Sequence, residues 1–141
     1  VVDAAKDLLF NVLPYRPFLI KPNNHELGEM FGVTLSDDEQ IIHYAKILQE
    51  RGARNVLVSM AGDGAILAAE NGEILKRKPP KGTVRNSVGA GDSMVAGFLA
   101  GYLRGGTYDE ALRMGTAAGS ASAFSDGLAD GAVIMELYQQ I

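Results

Sequence analysis

Apolar residues recur at helical spacing between Asp3 and Leu13 (Ala5, Leu8, Leu9, Val12), with Asp3 placed to cap that helix and Pro14 and Pro17 placed to stop it. Phe18-Leu19-Ile20 is an unbroken apolar run, the pattern of a strand buried on both faces of a parallel sheet, and Pro22-Asn23-Asn24 ends it. His25 to Phe31 reads as a short helix closed by Gly32. Ser36 is read as the start of a second helix, with Glu39 at the reciprocal capping-box position and Gly52 closing the helix after Arg51.

Asn55 to Met60 is a second buried strand around Val56-Leu57-Val58. The tight turn Gly62-Asp63-Gly64 leads to a hairpin partner, Ala65 to Ala69. Asn71-Gly72 is a second hairpin signal, with Glu73 to Arg77 as the next strand. After the extended Pro79-Pro80-Lys81-Gly82 comes a glycine-rich turn, Gly89-Ala90-Gly91, opening a helix from Asp92 to about Leu103. Gly105-Gly106 separates it from a further helix that starts near Thr107 and Tyr108 and is rich in small residues from Ala117 to Ala123. Gly127 and Gly131 are expected to break the chain before a last amphipathic turn or two, Ile134 to Tyr138. The order of elements predicts an α/β layered domain with an antiparallel extension. No internal repeat, low-complexity tract or linker interrupts it.

A length of 141 residues suits one compact domain, and 47% hydrophobic with 21% charged residues is the balance of a globular chain. The formal net charge of −4 argues against nucleic acid or an anionic membrane as partner. No apolar run reaches the ~20 residues that span a bilayer. The absence of Cys removes disulfides and cysteine chemistry and fits a cytoplasmic setting. Val1-Val2-Asp3 reads as a strand end running into a helix, so the sequence is expected to be a piece of a longer chain; a processed N-terminus is the alternative.

The chemistry concentrates in Asn86-Ser87-Val88-Gly89-Ala90-Gly91-Asp92-Ser93. Small residues at a helix start let backbone N–H groups approach an anion, and the helix dipole favours phosphate there. Asp92 falls in the first turn, where a carboxylate can take the proton of an attacking hydroxyl. One short element can therefore supply an anion hole and a base. On spacing alone the residues fit equally well a turn and a helix cap of no catalytic meaning.

Gly89-Ala90-Gly91-Asp92 followed by Ser93-Met94-Val95-Ala96-Gly97-Phe98 resembles the C-terminal signature of the ribokinase-like carbohydrate kinases, the PfkB family. Ile20-Lys21-Pro22-Asn23 with Glu26-Leu27, Ser59-Met60-Ala61-Gly62-Asp63-Gly64-Ala65, and Ala117-Ala118-Gly119-Ser120-Ala121 resemble three further motifs of that family, in the family's order. The resemblance implies a Rossmann-like sheet with helices on both faces and an ATP-dependent kinase. Asp92 would be the base, and the N–H groups of Gly89, Ala90 and Gly91 the anion hole. Lys21 and Asn23 would lie near the ATP phosphates and their Mg²⁺; Ser59, Gly62 and Gly64 would line the nucleotide loop. Ser122 and Ser125 would lie near adenine or a monovalent-cation loop. A K⁺ site through carbonyls would match Asn86, Val88, Ser122, Ser125, Gly127 and Ala129. Asn86-Ser87 stands where many members have Asp-Thr, and this departure is similar to the phosphosugar branch, whose acceptors are fructose 1-phosphate, tagatose 6-phosphate and fructose 6-phosphate. Ala129 stands where the family has Arg or Lys, which weakens the cation site. The family's sugar-binding residues and β-lid belong to an N-terminal half not present in this sequence. The 141 residues by themselves are thus expected not to phosphorylate a sugar, and a homo-oligomer pairing across an uncovered sheet edge is expected.

Other features read more plainly. Lys76, Arg77, Lys78, Lys81 and Arg85 form a basic stretch that suits a solvated edge strand better than ATP steering. His25 and His43 read as helix-surface residues, and Asp37, Asp38 and Glu39 as helix-start acids. The run from Ala117 to Ala123 suits close helix packing and adenine contact equally, and the five Met residues read as core. Two rivals remain: a non-catalytic nucleotide-binding module, which would have no use for Asp92, and a dinucleotide binder, for which the Gly-x-Gly-x-x-Gly fingerprint is missing.

Overall fold

The computed structural model describes residues 10–60, 64–78, 90–124, 131–139 and 141. They fall into two compact units: Val1–Ala61 with Ile66–Leu75, and Gly62–Ala65 with Lys76–Ile141.

In the first unit the opening helix reaches Val12 and continues as a 3-10 turn, Leu13–Tyr15. The α-helix thus stops before Pro14, as expected; Pro14 sits inside the 3-10 turn, where an early helical position needs no proline N–H, and Arg16 closes the turn before Pro17. Strand β1, Leu19–Ile20, pairs in parallel with β2, Asn55–Ser59, Leu19 opposite Asn55 and Ile20 opposite Val56. Helices α1, Asn24–Phe31, and α2, Asp38–Glu50, lie between them in sequence. Strands β3, Ala65–Ala68, and β4, Ile74–Arg77, complete a sheet of order β1-β2-β3-β4.

Alternation along the strands explains the core. Ile20, Val56, Val58, Ile66 and Ala68 join Leu27 and Met30 of α1 and Ile41, Ala45 and Leu48 of α2 in one cluster. The alternate residues Leu19, Leu57 and Leu67 are also fully buried, so these strands are covered on both faces, as an unbroken apolar run predicts. Asn55, itself fully buried, ties three segments together. Its Nδ2 donates to the Phe18 carbonyl at 2.8 Å, and its Oδ1 accepts from Glu70 N at 2.9 Å. The start of α2 differs from the sequence expectation. The cap of α2 is Asp37, whose Oδ1 accepts from Gln40 N at 2.8 Å, and not Ser36. Ser36 instead donates its N–H and hydroxyl to Gln40 Oε1, so the reciprocal contact runs to Gln40 and not to Glu39.

The second unit carries three helices: α3, Ala90–Gly105, α4, Tyr108–Phe124, and α5, Gly131–Tyr138. Gly131 begins α5 instead of breaking the chain, so the last element is a helix of two turns. Helices α3 and α4 meet along a glycine seam. A Cβ on Gly97 would stand 2.6 Å from the Ala118 Cβ and 2.7 Å from the Met114 carbonyl oxygen. One on Gly101 would stand 2.9 Å from the Glu110 carbonyl oxygen, and one on Gly115 2.9 Å from that of Met94. No real side chain fits those gaps, so the backbones approach as only glycine allows.

Helix α5 lays Ile134, Leu137 and Tyr138 against Ala117 and Ala121 of α4. A polar clamp adds to this. Tyr138 Oη donates to Glu110 Oε1 at 2.8 Å, and the Arg113 guanidinium lies 4.4 Å from the centre of the Tyr138 ring while its Nε donates to the Ile141 carbonyl at 3.1 Å. The hydrogen bond to Glu110 and burial hold the Tyr138 hydroxyl above its usual titration range, against the opposing pull of Arg113. Arg77, at the end of β4, pairs with Asp109 in the first turn of α4.

Candidate active site

The first group of candidate residues sits where β1 and β2 end. Parallel strands finish side by side, and in open α/β sheets ligands bind beyond those carboxyl ends. Ser59 N donates to the Pro22 carbonyl at 3.2 Å, and Asn23 and Ser59 form an isolated parallel bridge, so residues 36 positions apart in sequence become neighbours. Asn23 also caps α1. Its Oδ1 accepts from Glu26 N at 2.7 Å, and Glu26 Oε1 accepts from Asn23 N at 3.0 Å. This capping box fixes the turn that follows Lys21, whose residue is only 7% exposed. Glu26, part of the same motif but given no site role by the sequence, joins this group. Its signal was the Asn-x-x-Glu spacing, which is that of a reciprocal cap.

The second group sits at one end of the α3–α4 pair. Asp92 is the third residue of α3 and exposed; Ala90 and Gly91 precede it in the same first turn, where N–H groups have no partner within the helix. The seam sets the register of the two helices: Gly97 faces Ala118, and Gly101 faces Ala111. They therefore run antiparallel, and the start of α3 lies level with the end of α4. Asp92 and Ser122 are thus at the same end of the pair, with Ser122 in the last two turns of α4 and only 2% exposed. Gly64 belongs to this unit as well. Its φ is +99° and a Cβ there would stand 2.1 Å from the Arg77 carbonyl oxygen, so the hairpin by itself demands glycine.

Gly62, Asn86, Val88, Gly89, Ser125, Gly127 and Ala129 lie outside the described residues. So do Lys81 and Arg85 of the basic stretch; Lys76 and Lys78 are exposed on or beside β4, the end strand of the sheet order. His25 and His43 are exposed, and among the described residues no three His, Cys, Asp or Glu side chains gather as a metal site. Met30 and Met60 are buried; Met94, Met114 and Met135 are half-buried. No helix among the described residues is long and apolar enough to cross a membrane.

Comparison with known proteins extends these findings. The sequence profile of the pfkB family carbohydrate kinases matches residues 3–134. Over 141 residues the chain is 46% identical to the 1-phosphofructokinase of Bacillus subtilis, covering all of this chain and 46% of that protein. It is 41% identical to the D-tagatose-1-phosphate kinase of Bacillus licheniformis, with the same coverage. The chain spans about half the length of the curated relatives it matches. Among solved structures, a Staphylococcus aureus protein described as a candidate phosphofructokinase superposes with a TM-score of 0.92 at 42% identity, over 97% of this chain and 44% of that one. Escherichia coli phosphofructokinase-2 in complex with potassium superposes with a TM-score of 0.89 at 28% identity, over 99% and 46%. The ribokinase-like fold is the fold of this chain.

Proposed function

Because this chain belongs to the pfkB family of carbohydrate kinases, we propose that it is the nucleotide-binding and catalytic-base half of an ATP-dependent sugar-phosphate kinase, acting on fructose 1-phosphate to give fructose 1,6-bisphosphate. The observation that carries the reading is the exposed carboxylate of Asp92 in the first turn of α3, directly after the N–H groups of Ala90 and Gly91. In the proposed reaction Asp92 accepts the proton of the acceptor hydroxyl as its oxygen attacks the γ-phosphorus, and ADP leaves. The first-turn N–H groups, with that of Gly89, hold the transferred phosphoryl oxygens, where the helix dipole also favours negative charge. Lys21, Asn23, Ser59, Gly62, Gly64, Ser122 and Ser125 are assigned to the nucleotide. Mg²⁺ is proposed to arrive on the ATP phosphates, as it is ordinarily held by phosphates, water and one or two protein oxygens, and Asn23 and Glu26 offer such oxygens. Its chemistry would be to neutralise charge on the bridging phosphates. A K⁺ ion held by the carbonyls assigned above is part of the same proposal.

The relative named D-tagatose-1-phosphate kinase favours a second acceptor of the same shape. Tagatose 6-phosphate and fructose 6-phosphate are the remaining arms. The test is ADP release, coupled to a reporter, from the protein that carries this chain together with the other half of the family fold. Fructose 1-phosphate should give the highest kcat/KM of these sugars. Nucleotide binding without turnover on any of them would leave a non-catalytic binding module. The 141-residue chain by itself is proposed to release no sugar-dependent ADP. Holding an acceptor in line with the γ-phosphate can contribute roughly 7–11 kcal/mol, and the family's sugar-holding residues lie outside this half.

A further inference from the structure

We propose that Arg77, through its ion pair with Asp109, is a positioning residue for the nucleotide loop at Gly64, and that the pair fixes this loop relative to Ser122 at the far end of α4. The proposal rests on the kinase reading and deepens it, because that reading assigns Gly64 and Ser122 to the nucleotide.

Gly64 has no side chain to hold its place, so backbone contacts set it. A Cβ there would stand 2.1 Å from the Arg77 carbonyl oxygen and 3.0 Å from the Lys78 Cα, so the last residue of β4 lies directly against the loop. Pro79 and Pro80 follow in sequence and have no N–H with which to carry the ladder of that strand further. The Arg77 guanidinium donates through Nη2 to Oδ1 of Asp109, in the first turn of α4. Gly64, Arg77 and Asp109 all belong to the second unit.

Asp109 stands at a firm point of that unit. Its neighbour Glu110 donates its N–H to the Thr107 hydroxyl at 3.2 Å and accepts from Tyr138 at 2.8 Å. The Glu110 carbonyl abuts Gly101 of α3, where a Cβ would stand 2.9 Å from it. From there α4 runs unbroken to Ser122, which is buried. One end of α4 therefore holds the residue that backs the loop, and the other end carries a second residue assigned to the nucleotide. The side chains of the pair are 35% and 44% exposed, so water and salt weaken it, and its effect belongs at the few-fold level.

Charge steering makes the opposite prediction for one partner. A cation that only attracted ATP would be helped by removing a nearby carboxylate, whereas a pair that positions the loop needs both members.

The experiment measures kcat, both KM values and the Kd for MgATP in the protein that carries this chain together with the other half of the family fold. Arg77→Met and Asp109→Asn should each raise the KM and Kd for ATP by about 2–5-fold, with kcat and the sugar KM unchanged. The double variant should rise no further than either single one. Lys78→Met removes the same charge one residue on, at an exposed position, and should leave the ATP values where they are. Added salt should erase the difference between wild type and Arg77→Met. A lower KM for ATP in Asp109→Asn, or an equal rise in Arg77→Met and Lys78→Met, would overturn the positioning role in favour of steering. Unchanged ATP values in both single variants of an active kinase would overturn the role and leave the kinase reading standing. The expected pattern in Kd, without ADP release on any sugar, would keep the role and remove the kinase reading. A folded protein that binds no nucleotide would remove both.

Discussion

Asn23 and Asp92 both stand at the start of a helix, and the chain uses the two positions differently. Asn23 is the cap of α1, its side chain and backbone both bonded to Glu26, and it bridges to Ser59 where β1 and β2 end. It is part of the fold before it is part of any site. Asp92 lies two residues inside α3, exposed, while the work of placing α3 falls to Gly97, Gly101 and Gly115 in the seam. In the first unit a candidate residue also holds the backbone. In the second unit the candidate residue is separate from those that place it. Substitutions should therefore affect folding and function together at Asn23 and apart at Asp92.

The largest effect tests the second half of that contrast. In the kinase assembled with its other half, Asp92→Asn is expected to lower kcat by roughly 10²–10⁴-fold, as loss of a general base does. Stability should change little, since Asn keeps the size and only the helix-dipole contribution of about 0.3–1 kcal/mol is lost. Kinetics and the urea midpoint measured on one preparation decide it. Near-normal turnover would reduce Asp92 to a helix-start acid.

Gly97→Val is the complementary break. It adds a branched side chain where even a Cβ would stand 2.6 Å from the Ala118 Cβ. Overpacking of this kind ordinarily costs about 1–3 kcal/mol and moves backbone. The urea midpoint should fall, and kcat should fall with it because α3 carries Asp92. An unchanged midpoint would mean that α3 and α4 can part without cost, and that the seam does not place the base.

How far the sequence alone led can be read from the same elements. Val56-Leu57-Val58 announced a strand covered on both faces because no polar residue interrupts it, and the strand is so covered. Gly89-Ala90-Gly91-Asp92 announced a helix start, and Asp92 lies in the first turn of α3. The sequence places the cap of α2 one residue early because Ser36 and Asp37 are both good caps, and only the geometry of Gln40 selects between them. Gly131 looked like a breaker, but burial of Ile134 and Leu137 against α4 outweighs the ~1 kcal/mol that one glycine costs a helix. That Gly97 and Gly115 face a neighbouring helix, and that Asp92 and Ser122 come level, depends on the crossing of two helices. A hydrophobic pattern does not encode that crossing.

Asn23→Ala probes the first unit. Loss of the cap should cost about 0.5–2 kcal/mol and raise the nucleotide KM at the same time. Asn23→Asp sharpens the point, because Asp caps as well as Asn does and so should restore the urea midpoint. If the KM for ATP stays high in Asn23→Asp, the amide has a task toward the nucleotide beyond capping. If KM returns with stability, the fold alone accounts for Asn23.

The smallest expected effect lies at the Glu110 end of the α3–α4 pair, opposite the end that carries Asp92. Tyr138→Phe removes the hydroxyl that donates to Glu110 at 2.8 Å, leaving the ring under Arg113. A half-exposed hydrogen bond of this kind is worth roughly 0.5–1.5 kcal/mol, and the lower end applies here. The consequence is more distinctive in its pH dependence. In the folded chain the hydrogen bond to Glu110 and burial raise the Tyr138 pKa above the 10.0 of a free tyrosine, so the folded state holds this proton more tightly than the unfolded state. A group of that sign contributes its full stability below the unfolded value and loses it as pH rises through the folded value. Wild type should thus lose stability above about pH 10 more steeply than Tyr138→Phe, and the two urea midpoints should converge there. Because the hydroxyl that is removed meets Glu110, in the first turn of α4, while Ser122 lies in its last two turns, the variant should leave the KM for ATP unchanged. Parallel stability curves through the alkaline range would show that the Tyr138–Glu110 bond does not form in solution, and α5 would then be held by Leu137 and Ile134 against Ala117 and Ala121 without the clamp.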